Sequence, residues 1–315
     1  MQGSDRDDSQ APEGAQRGAS VLAGNHNMND TLVSQGALPR RGREAPADSR
    51  RVHDPNAEGP LSLRRQGGAL IVSIEREDRR NALSLAAIEA FGNVFRHHLA
   101  PDDRAVIVTG SGARAFCAGA DLKERREMSL DDVRAQLVRY RTDLAWLSTC
   151  PVPTIAAING AALGGGLELA LLCDLRVAAP HASFALPETS LGIIPAAGGT
   201  QYLPRIVGPA KARELILLGT RLSAAEALRI GLIHRICDAG VSVLDDALTW
   251  VAPITRGAPL AQRAALRALR AADRLDLDAG LEFELSCYEP CLVSDDRREA
   301  LDAFAEKREP SFRGR

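Results

Sequence analysis

The chain has 315 residues, of which 45% are hydrophobic, and its 39 Lys and Arg nearly balance 41 Asp and Glu, for a formal net charge of -2. That length and apolar content allow one or two domains with a sizeable core. The near-neutral charge gives no electrostatic ground for a nucleic acid or an anionic membrane as a general partner. No apolar run approaches the ~18 residues of a membrane-spanning helix, and residues 1–18 lack the apolar stretch of a secretory signal, so a soluble protein is expected. Asp5, Asp7, Asp8 and Glu13 argue against a mitochondrial presequence, and a cytoplasmic setting is expected. The six cysteines (117, 150, 173, 237, 287 and 291) show no paired CxxC spacing and sit mostly in apolar patterns. Reduced, buried thiols and no metal site are expected.

Residues 1–59 are rich in Gly, Ser, Asp, Arg and Pro, contain no aromatic residue, and show no periodicity, which reads as a disordered tail. Order is expected from Leu61, where residues 61–65, a Gln66-Gly67-Gly68 turn and residues 69–74 form a β-hairpin. Ser84 caps a helix to about residue 99 that carries Leu85, Ile88, Phe91 and Phe95 at helical spacing. Residues 105–109 form a buried strand, and Ser129 caps an amphipathic helix running to about residue 148. Strands at 154–158 and 175–178 flank the run Gly164-Gly165-Gly166 and an apolar helix. Beyond Pro209 the pattern turns helical, with segments near 210–218, 224–230, 260–272, 279–291 and 295–307 and a short extended interruption at 232–236. The alternation of strand, turn and helix implies an α/β arrangement of stacked turns.

Four stretches carry possible chemistry. The glycine run stands at a helix start, where backbone N–H groups and the positive helix end can face a ligand oxygen. Glu168 lies in the first turn of that helix among Leu167, Leu169, Ala170 and Leu171, an expensive place for an idle carboxylate. In residues 115–125, Gly119 allows a tight turn that points the N–H of Ala120 into a cleft as a second oxyanion donor beside Gly165. In residues 184–208, Glu188 follows Pro187 in a stretch read as extended, and apolar neighbours favour a raised pKa. Gly198 and Gly199 precede another helix start. The fourth stretch, residues 110–115, has the G-x-G-x-x-A form of a dinucleotide fingerprint. Phe116 to Gly119 are poor helical material and no strand with a terminal acid follows, so a nicotinamide or flavin reading is set aside.

Five ordered motifs then converge: NALS (81–84), AFCAGADLKER (115–125), NGAALGGGLELA (159–170), LPETSLGIIPAAGG (186–199) and DDRREALDAFAEKREPSF (295–312). Together they resemble the enoyl-CoA hydratase, or crotonase, superfamily, and are most similar to the branch of methylglutaconyl-CoA hydratase and enoyl-CoA hydratase domain-containing relatives. The resemblance implies a crotonase-like spiral of repeated ββα turns over residues 60–255 and a helical C-terminal oligomerisation part at 256–315 that builds trimers or pairs of trimers. It implies hydration of a 2-enoyl-CoA thioester, with Ala120 and Gly165 as the oxyanion hole, Glu168 activating water at C3 and Glu188 giving a proton to C2. The helix dipole favours an ionised Glu168. By the same resemblance the CoA moiety passes Ala82, Ala118, Asp121, Leu122, Lys123 and Gly164. Lys307, in the last helix, resembles a residue that meets the nucleotide phosphates of a neighbouring subunit.

No metal or redox cofactor is implied; coenzyme A enters with the substrate. Isomerase branches of the fold typically keep only one usable carboxylate, so the pair of acids favours a hydratase over an isomerase or a silent CoA-ester-binding protein. Tyr202 stands where an arginine is common, and Ala196-Ala197 replace glycines, which alters the expected acyl pocket. One relative in this branch binds RNA through a lysine-rich helix; here Arg96, His97 and His98 are followed by Asp102 and Asp103, so no RNA binding is expected.

Overall fold

A computed structural model describes residues 50, 51 and 59–315. The rest of the stretch expected to be a tail lies outside the described residues. Within it, Arg50–Arg51 form a short strand, β1, antiparallel to β2. A strand edge offers unpaired backbone groups, and this dipeptide takes them.

The hairpin pairs β2 (Leu61–Gln66) with β3 (Ala69–Ile74), Gln66 facing Ala69 across a two-residue turn. Ser84 accepts the N–H of Ala87 and starts α1 (Leu85–Asn93), which passes into a π-helical turn at Val94–His98. Next come β4 (Ala105–Gly110) and β5 (Ala115–Cys117). Helices α2 (Leu122–Glu127) and α3 (Leu130–Arg139) follow, the latter begun by a reciprocal Ser129–Asp132 capping box. Strands β6 (Thr154–Ile158) and β7 (Ala161–Leu163) lead into α4 (Gly165–Leu171), then β8 (Leu175–Ala178) and β9 (Ser183–Ala185). The C-terminal half holds α5 (Gly199–Val207), α6 (Pro209–Leu218), β10 (Leu222–Ser223), α7 (Ala224–Arg229) and β11 (Arg235–Ile236). It ends with α8 (Val243–Arg256), α9 (Pro259–Ala272), α10 (Leu277–Leu292) and α11 (Asp295–Glu306).

A seven-stranded sheet runs β1-β2-β3-β4-β6-β8-β11, parallel from β3 onward. Alternate residues serve its two faces. Leu70, Val72, Val106, Val108 and Ala156 enter the main core with α1 and α4, whereas Ile71, Ile107, Ile155 and Val177 meet Val243, Ala247 and Val251 of α8. Sequence reading missed α8, whose pattern is interrupted by Pro253. It also missed the second sheet, β10-β9-β7-β5, because strands of two or three residues are too short to show a period. Two further corrections concern site residues. Glu188 opens a 3-10 turn, Glu188–Leu191, with Pro187 at its cap, and is not extended. Lys307 lies just beyond α11 as its left-handed C-cap, φ 57°, and outside the helix proper. All six cysteines are free and five are buried, as expected.

Candidate active site

The small sheet assembles the site. β7 lies between β5 and β9, parallel to both, so the segments leaving the C-terminal ends of all three strands emerge side by side. Ligand sites favour such strand ends in open parallel sheets. The segment after β5 carries Gly119 and Ala120, that after β7 carries Gly164 and Gly165, and that after β9 leads to Glu188. The Gly164 N–H donates to the Ala185 carbonyl at 2.9 Å, which locks the β7 and β9 exits together. Across β5, the Leu83 N–H donates to Gly119 O at 2.7 Å and the Asp121 N–H to Leu83 O at 3.0 Å, bringing Ala82 beside Ala120.

Backbone geometry leaves two amides unspent. A Cβ placed on Gly119 (φ 91°) would stand 3.2 Å from the Gly165 nitrogen, and one on Gly165 would stand 3.7 Å from the Ala120 nitrogen. The two nitrogens are therefore neighbours. Among the described residues neither N–H is donated to a protein acceptor. Gly164, at φ 52° and ψ -128°, supplies the turn that only glycine adopts at low cost, and thereby aims the Gly165 N–H.

Both acids are buried, Glu168 to 3% exposure and Glu188 to 7%. Every residue of α4 is buried, so Glu168 points inward from a helix that has no solvent face. Its Oε1 accepts the N–H groups of Ala197 at 2.8 Å and Gly199 at 2.7 Å, while its Oε2 accepts no hydrogen bond from the described residues. Burial pushes the Glu168 pKa up, against the lowering effect of those amides. The sequence expectation that the dipole keeps this acid ionised captured only part of the balance.

Glu188 is different. Its Oε2 is buried without a partner among the described residues, and burial pushes its pKa up to about 7; a bond to its own backbone N–H opposes the rise and the charge of Glu168 adds to it. The charge of Glu168 thus reaches Glu188, although the two lie 20 residues apart in sequence. A Cβ on Gly164 would come within 2.8 Å of Glu188 Oε1, so the second acid adjoins the amide pair as well.

The remaining expected residues divide by what their side chains do. Ala82 and Ala118 adjoin the segment that carries Ala120, with Ala118 N–H donating to Arg80 O at 3.0 Å. Leu122 and Lys123 are exposed in the first turn of α2. Asp121 is committed to the fold: it caps α2 through the N–H groups of Lys123 and Glu124 and pairs with Arg76 at 2.9 Å. Lys307 is exposed.

Sequence reasoning missed the frame around them. Arg76 joins Asp121 to the Ala82 carbonyl. Asn81, fully buried at φ 57°, donates to Ser111 O at 2.9 Å and Ala115 O at 2.8 Å. Glu124 accepts the Leu85 N–H at 3.0 Å. A buried Asn with positive φ gives no periodic signal; only its place in the NALS motif could have drawn attention to it. The rival dinucleotide reading fails locally, since Gly110 ends β4 and bends lead to a strand, with no helix opening on the glycines.

A large apolar groove of about 890 Å³ runs between α9 and α10, lined by residues such as Leu269, Leu281 and Tyr288, and it contains none of the site residues. The two acids and the amide pair thus lie apart from this groove on the C-terminal helices.

Known proteins resemble this chain in sequence and in fold. The profile of the family described as enoyl-CoA hydratase/isomerase matches residues 64–315. An enoyl-CoA isomerase/hydratase of Mycosarcoma maydis is 44% identical, over 79% of this chain and 93% of the relative. Human mitochondrial methylglutaconyl-CoA hydratase is 38% identical, over 93% of this chain and 88% of the relative. Among solved structures, enoyl-CoA hydratase from Bacillus anthracis superposes with a TM-score of 0.78 at 42% identity, covering 81% of this chain and all of that one.

Proposed function

The chain belongs to the enoyl-CoA hydratase/isomerase family, and from that premise we propose that it catalyses the reversible addition of water across the 2,3 double bond of a 2-enoyl-CoA thioester. The observation that supports this most directly is the pair of buried carboxylates in unequal surroundings beside two unspent amides.

In this reading the thioester oxygen sits between the Ala120 and Gly165 N–H groups, which stabilise the charge it gains as an enolate forms. Glu168, held by Oε1 on main-chain amides, keeps Oε2 for a water molecule and removes its proton as the oxygen bonds to C3. The π electrons of the alkene pass to the enolate, and Glu188 gives its proton to C2. A pKa of about 7 keeps a useful fraction of Glu188 protonated near neutrality. Glu168, raised by burial, is a stronger base than an exposed carboxylate. Proton exchange with solvent then resets both acids. Every step is acid–base or electrostatic, so the proposal includes no metal and no redox cofactor.

The CoA portion is placed along Ala82, Ala118, Asp121 to Lys123 and Gly164, with Lys307 of a second copy at its phosphates. Assembly into trimers or hexamers is part of the same proposal. It is supported by the apolar groove on the C-terminal helices and by exposed Leu277, Leu285 and Phe304. Among the described residues no helix is long and apolar enough to cross a membrane. The proposal keeps a cytoplasmic setting on the strength of the acidic N-terminal residues, whereas the human relative is mitochondrial by name.

Crotonyl-CoA in ¹⁸O-labelled water is the test. Loss of the conjugated thioester absorbance with ¹⁸O in the product is expected, and Glu168→Gln and Glu188→Gln should each lower kcat by about 10²-fold or more with CoA-ester binding retained. Migration of a double bond without ¹⁸O entering the product would make the protein an isomerase. Near-normal hydration by either variant would remove that residue from the mechanism.

A further inference from the structure

A separate cavity of about 640 Å³ opens between the end of α4, the start of β8, α5 and the C-terminal half of α9. None of the candidate catalytic residues lines it. Its volume falls within the range of small-molecule sites, and Leu171, Leu175, Ile206 and Leu266 give it apolar walls. Its charged lining is uneven: Arg176, Arg205, Arg270 and Arg274 face only Asp174 and Asp273.

The arginines are not equivalent. Arg270 is satisfied, paired with Asp174 at 2.9 Å and bonded to the Cys150 carbonyl at 2.6 Å. Asp174 in turn also accepts from Thr154, so it is already engaged. Arg176 is only 5% exposed and forms no ion pair among the described residues. Its Nε donates to Leu232 O at 2.7 Å and its Nη1 to Cys173 O at 2.6 Å, both neutral acceptors, and Nη2 has no hydrogen bond there. Asp174, already held by Arg270 and Thr154, acts on its charge without pairing with it, and a guanidinium so deep with Nη2 unbonded among the described residues is costly unless a further anion compensates it. Arg205 and Arg274 are exposed at the same cavity and likewise form no ion pair among the described residues.

We propose that this cavity binds an amphipathic carboxylate, a medium-chain fatty acid anion, with its head among Arg176, Arg205 and Arg274 and its chain along the apolar wall. Guanidinium groups match the planar carboxylate through paired N–H donors. The leucine and isoleucine walls call for a hydrocarbon body, which a bare inorganic anion lacks. Two of the cavity's walls are α4 and α5, the helices that carry Glu168 and its Gly199 donor in their first turns. A ligand there therefore rests on the same two helices that position the base.

The test needs no turnover, so it is independent of the proposed reaction. Calorimetric titration of the full chain with octanoate should show one site per chain with Kd at or below about 1 mM. Arg205→Glu with Arg274→Glu, both surface changes, should weaken it by about tenfold or more, and Arg176→Gln should do the same where it folds. Octanol, which has the chain without the charge, and inorganic phosphate, which has the charge without the chain, should both bind far more weakly. Unchanged affinity in the double variant overturns the proposal. So does octanol or phosphate matching octanoate, or displacement of octanoate by a CoA ester, which would place it at the glutamates instead.

Discussion

Replacing Glu188 by Gln should cost activity and yet stabilise the fold in a pH-dependent way. In the folded chain the Glu188 pKa stands near 7 against an ordinary carboxyl value of 4.5. Between those values the native state holds a proton that the unfolded state has released, so stability falls as pH rises from about 4.5 to about 7 and stays reduced above. The difference of roughly 2.5 units corresponds to at most about 3.4 kcal/mol. Glu188 keeps 7% of its surface exposed, and solvent screening lowers this to about 1–2 kcal/mol. The amide introduced by Glu188→Gln carries no charge at any pH and escapes the penalty. Urea unfolding of both proteins at pH 5 and pH 8.5 checks this, and comparing the two pH values cancels the fixed cost of burying the new amide. The variant should gain about 1–2 kcal/mol relative to the parent on going from pH 5 to 8.5. An equal gap at both values would refute the claim that burial holds this acid partly protonated.

Gly164→Ala forces a positive φ on a residue with a side chain and sets its Cβ 2.8 Å from Glu188 Oε1, so strain of about 1–3 kcal/mol should accompany a displaced acid. Steady-state kinetics should show kcat down by about 10–100-fold in a protein whose circular dichroism is unchanged, and wild-type kcat would contradict the close approach. Asp121→Ala removes the Arg76 ion pair and two capping bonds at once, and urea unfolding should report a loss of about 1–3 kcal/mol. A loss below about 0.5 kcal/mol would mean that Asp121 does not brace the start of α2.

What could be read from the sequence was whatever depends on neighbours close along the chain. Ser84 and Ser129 announced their helices because a cap acts within three residues, and the Gly67-Gly68 turn set its hairpin for the same reason. The glycine run and the two glutamates stood out in the sequence as candidates because apolar neighbours make a carboxylate conspicuous. Less visible was everything settled at long range. The three-residue strands β5, β7 and β9 owe their extended form to one another, and their shared exits, with the Leu83 bridge to residues 119–121, bring Ala120, Gly165 and Glu188 together. The donors for Glu168 arrive from Ala197 and Gly199, whose side chains carry no polar group to betray the role. Arg76 gave no signal in the sequence and Asn81 stood out only as part of the NALS motif, because the partners of both come from distant segments. Lys307 continues a helical pattern in sequence but takes a left-handed conformation that caps α11.

Because main-chain nitrogens hold Glu168 and form the unspent pair at Ala120 and Gly165, the mutational sensitivity of this cleft should be displaced from its chemistry. Exchanging the methyl of Ala120 or Ala197 for another small group leaves the working atom in place, whereas Gly119, Gly164 and Gly199, which have no functional groups at all, have little room for change. The lining can therefore drift toward new acyl shapes over generations while the polar apparatus stays intact, with glycine backbone geometry as the heritable constraint.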